Sequence, residues 1–301
     1  MNDKTNNPLI TVAMPVYNAG NYLRPAVMSI LAQTYPNWEL LVIDDKSTDR
    51  SLESIADISD TRIRILSDGF NKGLAARLNQ AIDQARGQFL ARMDQDDISY
   101  PERFAKQLAL LASAPELDLV AVRAIRISEE NEVLDFFPSP LTHAEICARP
   151  WQGFYFPHST WMGRIEWFRK YRYRVPQPYF CEDQELLLRS YCESKFASVP
   201  EVQFAYRVHA TINLKKLLRT HWAVFKLQFL HFQAKHEFQF VLFALGVFLS
   251  RIVIDLTKLI KQYIALKAKI KISNIELQSE ARQWDQLKIR FFSAETDTSS
   301  L

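Results

Sequence analysis

Short apolar runs alternate with longer amphipathic stretches along the first 120 residues. The runs predict strands, and the stretches between them carry apolar residues at spacings of three and four, which predicts helices. The predicted strands cover residues 9–14, 39–44, 62–66, 88–93 and 117–122, and the predicted helices cover about 21–33, 49–58, 74–86 and 101–113. This alternation indicates an α/β fold with a doubly wound, mostly parallel sheet. We expect Gly87 to cap the end of the third helix.

The rest of the chain reads differently. Residues 131–178 are rich in proline and aromatic residues around a short predicted strand at 158–162, and a helix is predicted at 182–192. From residue 214 the pattern is helical to about 291. The expected organisation is a catalytic domain, a helical and basic extension, and a disordered tail. Their expected bounds are 1–212, with halves at about 8–125 and 126–212, then 213–291, then 292–301.

Composition narrows the class of protein. The chain is 48% hydrophobic and 24% charged, which is typical of soluble domains. Seven glycines and three cysteines exclude collagen-like, low-complexity and disulfide-stapled chains. Cys147, Cys181 and Cys192 are odd in number and lack C-x-x-C spacing, so we expect reduced thiols in the cytoplasm. The opening segment has no apolar core and does not predict a signal peptide.

Positive charge is concentrated near the C-terminus. Residues 215–271 carry 11 Lys and Arg against 2 Asp and Glu, a balance of +9 in a chain of net charge +3. The same block holds ten consecutive apolar residues, 240–249, and an aromatic stripe at Trp222, Phe225 and Phe229. This combination favours an anionic membrane surface over nucleic acid as the partner.

The segment 238–256 is short and polar for a membrane span, because Ser250, Arg251 and Asp255 interrupt it. We therefore expect an interfacial helix or a re-entrant hairpin on the inner face of the cytoplasmic membrane. The alternative is that these helices pack on the catalytic domain, or on a second subunit as a homodimer interface.

Polar residues follow the predicted strands, where a doubly wound sheet binds its ligands. Residues 15–18 follow the first strand, residues 44–49 the second and residues 94–97 the fourth. No G-x-G-x-x-G follows the first strand, and neither a P-loop nor a G-x-S-x-G motif is present. A dinucleotide dehydrogenase, a P-loop enzyme and an α/β-hydrolase are therefore disfavoured.

Asp94 and Asp96 form a D-x-D pair at the end of a strand. Two adjacent carboxylates repel each other, and a divalent cation that prefers oxygen ligands supplies the counter-charge. Such an ion keeps ligand positions for substrate phosphates, so the pair predicts a diphosphate site with Mn²⁺ or Mg²⁺. The alternative is that the acidic residues near Asp97 only cap the helix that begins near Pro101.

The chain resembles glycosyltransferase family 2, the inverting nucleotide-sugar transferases of the GT-A fold. The resemblance spans about residues 10–209 and rests on the order and spacing of six short motifs. These are Pro15-x-Tyr17-Asn18, Asp44-Asp45-x-Ser47-x-Asp49, Asn71-x-Gly73, Ala91-Arg92-Met93-Asp94-Gln95-Asp96-Asp97, Glu182-Asp183 and Tyr206-Arg207-x-His209. The pattern around Asp94 is similar to that of bacterial enzymes that build surface polysaccharides.

The resemblance implies roles on the donor side. The nucleoside pocket would involve Pro15, Tyr17, Asn18, Asp44 and Asp45, with Asp45 accepting a proton from a uracil-like base. Asp44 alternatively shapes a turn, and Tyr17 is alternatively a core aromatic residue.

Other donor residues surround the expected diphosphate. Asn71, Gly73 and Arg77 would face phosphate or sugar hydroxyls. Arg92 would pair with the acidic groups or reach the donor, and Gln95 would also contact it. His209 would join Asp94 and Asp96 at the metal or reach the diphosphate, although a plain loop histidine has the same pattern.

On the acceptor side the resemblance implies that Asp183 is the general base, with Glu182 beside the acceptor. His158 would touch the acceptor or close the site, or alternatively is a plain hydrogen-bonded histidine. Asp183 alternatively only stabilises a helix N-terminus. Two departures from the family pattern stand out: Lys46 replaces a common glycine, and the glycine pair usual before Glu182-Asp183 is absent. We expect these departures to change the shape of the acceptor loop and to leave the donor chemistry largely unaffected.

Together these features predict a metal-dependent inverting glycosyltransferase, peripheral on the cytoplasmic membrane. It would move a sugar from a nucleotide donor, UDP-linked, to a lipid-linked or surface-polysaccharide acceptor. A nucleotidyltransferase would be expected to carry a glycine-rich basic loop after the first strand, and residues 15–20 are neither glycine-rich nor basic. A catalytically silent binding protein would be free to lose Asp94, Asp96 or Asp183, and all three are present.

Overall fold

The computed structural model describes residues 7–209, 214–265 and 275–292, and nine strands of this part form one sheet. The strands are β1 (Ile10–Val16), β2 (Trp38–Asp44), β3 (Ile63–Ser67), β4 (Phe89–Arg92), β5 (Ile98–Ser99), β6 (Leu119–Ile127), β7 (Val133–Phe136), β8 (Met162–Arg164) and β9 (Phe196–Arg207). The helices are α1 (Leu23–Leu31), α2 (Leu74–Gln84), α3 (Arg103–Ser113), α4 (His143–Ile146), α5 (Ile165–Lys170), α6 (Glu182–Ser190), α7 (Leu214–Ala234), α8 (Phe238–Ala265) and α9 (Ile275–Phe292).

The strand order is β3-β2-β1-β4-β8-β6-β9-β5, with β7 paired to β6. Strands β1 to β4 pair in parallel, as do β6 and β9. Strand β8 lies between β4 and β6 and is antiparallel to both, so β4 and β6 run in the same direction. The strands that share this direction are β1, β2, β3, β4, β6 and β9. The loops after β1, β2 and β4 therefore meet at one edge of the sheet, which is where the predicted motifs lie.

Helices cover both faces of the sheet. Alternate residues of β1 enter different apolar clusters, Val12 and Met14 with α1 and α3, and Ala13 with α2, α5 and α6. Every residue of β1 and β2 is buried, which explains their continuous apolar runs. The predicted doubly wound sheet with a C-terminal helical region is confirmed.

Several predicted elements differ from the structure. The helix predicted at 49–58 is wrong: only a 3₁₀ turn, Leu52–Ile55, forms there. Asp49 accepts hydrogen bonds from the backbone and hydroxyl of Ser51 and so stabilises a turn instead. The strand predicted at 158–162 is also wrong, since 158–160 is a 3₁₀ turn and β8 begins at residue 162.

Gly87 is needed for close packing rather than for capping. Helix α2 ends in an extended residue, Ala85. A Cβ atom on Gly87 would lie 2.6 Å from both the carbonyl oxygen of Leu9 and the amide nitrogen of Thr11. The predicted role as a helix cap is therefore wrong, and the residue is glycine because β1 passes against its backbone.

Helices α7 and α8 form an antiparallel pair. His221 lies 2.7 Å from Asp255, and the rings of Phe225 and Phe248 stack at 5.2 Å. The pair is anchored on the sheet domain by Phe232, which is fully buried in the cluster with α2.

One described helix is long and apolar enough to cross a membrane. It is α8, whose segment Phe238–Thr257 has a mean hydropathy of 2.1 and is only 6% buried. By length and composition the segment therefore meets the requirement for a span that the sequence analysis found lacking at 238–256. It is one continuous helix without the turn that a re-entrant hairpin needs.

Helix α9 packs elsewhere, at the edge formed by β5, β6 and β7. Trp284 is buried there, stacks on Tyr100 and donates a hydrogen bond to the carbonyl oxygen of Asn131 at 2.9 Å. The tail predicted to be disordered, 292–301, lies outside the described residues except for its first residue, which ends α9.

Candidate active site

The loops after β1 and β2 are tied together by Asn18 and Asp49. The Asn18 side-chain oxygen accepts hydrogen bonds from the backbone of Thr48 at 2.7 Å and of Asp49 at 3.3 Å. In return, the Asp49 carboxylate accepts the backbone N–H of Gly20 at 2.8 Å. Asn18 therefore holds the loop after β1 against the loop after β2.

The turn after β2 is shaped by Asp44. Its two oxygens accept hydrogen bonds from the Ser47 backbone and the Ser67 hydroxyl, each at 2.9 Å. Lys46 has a φ of +66°, the left-handed conformation that a glycine adopts without cost. Asp44 is thus a turn residue here, the alternative that the sequence left open.

Asp45 and Arg77 hold the loop before α2. Asp45 accepts the backbone N–H groups of Lys72 at 2.7 Å and Gly73 at 3.0 Å, and the Arg77 Nε at 2.8 Å. Asn71 donates to the Asp45 carbonyl oxygen at 3.1 Å. Gly73 has a φ of +83° and therefore requires glycine.

Arg77 is fully buried, and all five of its N–H donors are used within the protein. Besides Asp45, they reach both carboxylate oxygens of Asp68, the side chain of Gln80 and the carbonyl oxygen of Phe70. Arg77 is therefore committed to the loop rather than to a phosphate or a sugar.

Gln95 clamps the loop after β1 against the loop after β4. Its side-chain oxygen accepts the backbone N–H of Tyr17 at 2.6 Å, and its amide donates to the Tyr17 carbonyl oxygen at 3.1 Å. The Tyr17 side chain is left about half exposed at the mouth of the site.

These loops enclose a cavity of about 570 Å³, which we call the donor cavity. It lies at the carboxyl ends of β1, β2 and β4. Its walls include the predicted residues Pro15, Tyr17, Asp45, Asn71, Gly73, Arg77, Asp94, Gln95 and Asp96, together with Gln177, Phe180 and Lys216.

Three carboxylates cluster at one end of this cavity. Asp94, Asp96 and Asp97 each offer an oxygen atom, and these atoms lie within 4.8 Å of one another. Burial and the neighbouring negative charges raise the pKa of Asp97 well above its usual value. Burial also raises the pKa of Asp94, although the Arg92 guanidinium lies 2.6 Å from its carboxylate. The neighbouring carboxylates repel one another, and their oxygen atoms are the ligands that a hard divalent cation prefers.

Asp97 does not cap the helix near Pro101. It is buried and accepts the backbone N–H of Arg207, at the end of β9, at 2.8 Å. It therefore joins the acidic loop to the second half of the sheet.

His209 lies beside the acidic cluster. Its Nε2 is 2.9 Å from Asp96 and its Nδ1 is 2.9 Å from Glu129, and these contacts raise the pKa of His209 to about 9. The structure thus brings His209 next to Asp96, where the raised pKa keeps it protonated at neutral pH. In this state it is a cation beside the carboxylates and has no lone pair for a metal. Glu129 was not predicted, and it follows β6 with no motif around it.

A second cavity of about 350 Å³, which we call the acceptor cavity, meets the donor cavity. Leu74, Asp94 and Phe180 line both. The acceptor cavity contains Glu182 and Asp183 from the start of α6, together with Arg92 and His158. The sequence-predicted residues of the two sides therefore lie in adjoining spaces.

The acidic pair of this cavity is poorly solvated. Burial, followed by the charge of Asp183, raises the pKa of Glu182 to about 7, and burial raises the pKa of Asp183. Gln184 holds Asp183 by a hydrogen bond of 3.1 Å to its carboxylate. The same side chain exchanges two hydrogen bonds with the backbone of Phe154, so α6 is fixed to the cavity wall. Gln184 was not predicted, although it directly follows the Glu-Asp pair.

His158 is a neutral member of the wall. Burial lowers its pKa well below the usual value, so its 3.7 Å contact with Glu182 joins an uncharged imidazole to a carboxyl group. Its other ring nitrogen lies 2.7 Å from the Tyr173 hydroxyl.

Arg92 is the cation of the acceptor cavity wall. It is only 3% exposed, and besides its ion pair with Asp94 its Nε and Nη1 atoms have no hydrogen-bond partner. Arg92 therefore faces the acceptor cavity at the point where the two cavities meet.

Comparison with known sequences identifies the family. The model of "Glycosyl transferase family 2" matches residues 11–172. An uncharacterized glycosyltransferase of Haemophilus influenzae is 31% identical over 217 residues, which are 68% of this chain and 67% of the relative. The enzyme WfgD of Escherichia coli, a UDP-Glc:alpha-D-GlcNAc-diphosphoundecaprenol beta-1,3-glucosyltransferase, is 39% identical over 103 residues, 34% of this chain and 41% of its own.

Solved structures share the fold. TarS of S. aureus, in complex with UDP-GlcNAc, aligns with a TM-score of 0.64 at 17% identity, over 95% of this chain and 81% of its own. The mannosyltransferase PcManGT of Pyrobaculum calidifontis, in complex with GDP-Man and Mn²⁺, aligns with a TM-score of 0.58 at 16% identity, over 96% of this chain and 88% of its own. With the family match over more than half of the chain, these findings show that the protein belongs to glycosyltransferase family 2 and has the GT-A fold.

Proposed function

We propose that this glycosyltransferase moves a sugar, with inversion, from a UDP-sugar to a glycan or lipid-linked acceptor. The observation that carries the proposal is the pair of adjoining cavities. One is lined by Asp94 and Asp96 of the carboxylate cluster, and the other contains the carboxyl pair Glu182 and Asp183. Inversion needs a base on the opposite side of the sugar from the departing diphosphate, and two adjoining cavities offer that separation.

The donor cavity suits a nucleoside diphosphate sugar. The exposed ring of Tyr17 offers a stacking surface for a base, and Asp45 offers an oriented carboxylate. TarS binds UDP-GlcNAc, whereas PcManGT binds GDP-Man, so the fold accepts both bases. We propose UDP, because the relative WfgD, 39% identical over the matched segment, is named for a UDP-Glc donor; Asp45 would then accept the N–H group of uracil.

Asp94 and Asp96 would hold Mn²⁺ or Mg²⁺, with His209 beside them. When bound, such an ion supplies positive charge that stabilises the departing diphosphate. Arg92 fixes the Asp94 carboxylate by their 2.6 Å ion pair, so this ligand is oriented before the donor arrives.

Asp183 is proposed as the general base that takes the proton of the acceptor hydroxyl. The raised pKa of this buried carboxyl makes it a stronger base than an exposed aspartate. Gln184 orients it, and its neighbours Glu182 and His158 would bind hydroxyls of the acceptor sugar.

We propose a lipid-linked acceptor and a peripheral location on the inner face of the cytoplasmic membrane. The acceptor named for WfgD is a diphosphoundecaprenol-linked sugar. Helix α8 exposes Leu242, Leu249 and Val253, which recur at intervals of seven and four and share one face. Together with the +9 balance of residues 215–271, this face suits an anionic membrane surface.

The test separates binding from chemistry with Asp183→Asn and Asp96→Ala. Donor affinity is measured by calorimetry with UDP and Mn²⁺, and turnover is measured on a panel of UDP-sugars with a diphosphate-lipid acceptor. Asp183→Asn should keep the Kd for UDP and lower kcat by at least about 10²-fold, the scale expected for a lost general base. Asp96→Ala should instead abolish the metal-dependent part of UDP binding.

Two results would contradict the proposal. If Asp183→Asn weakened UDP binding but kept its turnover at saturating donor, Asp183 would belong to the donor site. Product of retained anomeric configuration, read by NMR from an α-linked donor, would refute inversion.

A further inference from the structure

Helix α7 contributes one residue to the donor cavity. The other walls come from the sheet domain, but Lys216 lies in the first turn of α7 and lines the same space as Asp45, Asp94 and Asp96. The C-terminal helical extension is therefore part of the donor site as well as a candidate membrane element.

Negatively charged side chains outnumber positively charged ones in the described wall of the donor cavity. Three carboxylates line it, and the two cations of its described wall are Arg77 and Lys216. The guanidinium of Arg77 is buried, and its five donors already serve Asp45, Asp68 and other protein groups. Arg77 therefore cannot turn toward a ligand without breaking this network.

Lys216 lies near the junction of the two cavities. Its ammonium is 4.1 Å from the centre of the Phe180 ring, and Phe180 is one of the residues that line both cavities. Asp94, at the acidic cluster, is another. A diphosphate held next to that cluster would thus lie at the end of the donor cavity where Lys216 is found.

We propose that Lys216 binds the diphosphate of the nucleotide donor, so that α7 completes the donor site. The inference rests on the proposed nucleoside diphosphate donor. A lysine ammonium is a compact charge on a flexible stem, and its hydrogen bonds to phosphate oxygens are charge-assisted. It would offset the negative charge of the phosphates.

The neighbouring residue provides a matched control. Lys215 has the same charge, the same helix and an exposed side chain, but it does not line the donor cavity. If the lysines of α7 served only to attract an anionic membrane, the two positions would be equivalent in nucleotide binding.

The experiment uses the full chain without membranes. The Kd for UDP in the presence of Mn²⁺ is measured by calorimetry for the wild type, Lys216→Gln, Lys216→Arg and Lys215→Gln. We expect about a tenfold weaker Kd for Lys216→Gln, a loss of about 1.4 kcal/mol, because a charge-assisted hydrogen bond to the phosphate is removed. Lys216→Arg should stay within about threefold of the wild type, and Lys215→Gln should be unchanged.

Uridine separates phosphate contact from a damaged cavity wall. Because it carries no phosphate, its affinity, measured by ligand-observed NMR, should be the same for the wild type and Lys216→Gln. An equal loss for uridine and UDP, an equal effect of both glutamine variants, or unchanged UDP binding by Lys216→Gln would each overturn the inference. In those cases the wild type still binds UDP and the proposed donor stands, whereas a wild type that does not bind UDP would refute the proposed donor as well.

Discussion

Replacing Glu182 by glutamine should make the protein more stable at alkaline pH. Glu182 is 8% exposed in the acceptor cavity wall, and its pKa is raised to about 7 from an ordinary value of 4.5. Burial is the largest cause, followed by the charge of Asp183 on the same helix. From β4 and its loop, Arg92 opposes the shift and Asp94 adds to it, while the facing His158 is uncharged.

The sign follows from the direction of the shift. A group whose pKa is higher in the folded state binds a proton that the unfolded chain has released. The resulting stabilisation is complete below pH 4.5 and is lost as the pH rises through 7. The difference of about 2.5 pKa units corresponds to about 3 kcal/mol at 1.36 kcal/mol per unit. Glutamine has nearly the same shape and cannot ionise, so it avoids this loss.

The assay is equilibrium unfolding in urea at pH 5 and pH 8 for wild type and Glu182→Gln. The free energies of unfolding should be similar at pH 5, and the variant should exceed the wild type by about 2–3 kcal/mol at pH 8. Glu193→Gln is the matched control, because Glu193 is exposed and its hydrogen bonds to Tyr171 and Lys170 lower its pKa. Its difference from wild type should not change between the two pH values. A difference for Glu182→Gln that is also constant would refute the reasoning.

Two further predictions concern the loop network and the apolar face of α8. Arg77→Met should lower the free energy of unfolding by about 3–5 kcal/mol, because it removes the cation that pairs with the buried Asp45 carboxylate. Arg24→Met, at an exposed ion pair, should cost less than about 1 kcal/mol in the same urea assay, and equal costs would contradict the structural role of Arg77. Leu242→Glu should reduce flotation with anionic vesicles about tenfold or more, whereas Ile289→Glu on α9 should not. Equal flotation of these two variants would place the membrane contact elsewhere.

Strands β1, β2 and β4 could be predicted because they are buried on both faces. The apolar runs of β1 and β2 therefore appear in the sequence without interruption. Strand β9 could not be predicted, because Pro200 and Glu201 interrupt its apolar pattern and its register against β6 shifts at Arg123. Its twelve residues are defined by pairing with a strand about eighty residues earlier in the chain, which no local pattern reveals.

The site shows the same division between local and long-range signals. Asp94 and Asp96 could be predicted because they directly follow a strand, and Asp183 because it opens a helix. Phe180 and Lys216 could not, since they reach the donor cavity only through the packing of α7 and the loop before α6.

At both departures from the family pattern a residue other than glycine adopts a positive φ angle. Lys46 stands where a glycine is usual, and Phe180 lies in the segment that lacks the usual glycine pair; their φ angles are +66° and +45°. An L-residue in this left-handed region costs about 1–2 kcal/mol, and such strain is typical of functional sites. At Lys46 the turn is kept by the hydrogen bonds of Asp44. At Phe180 the gain is a ring between the two cavities that also contacts Lys216, where a glycine would leave the junction open. The strained backbone of this chain therefore places an aromatic side chain at the junction of the two cavities.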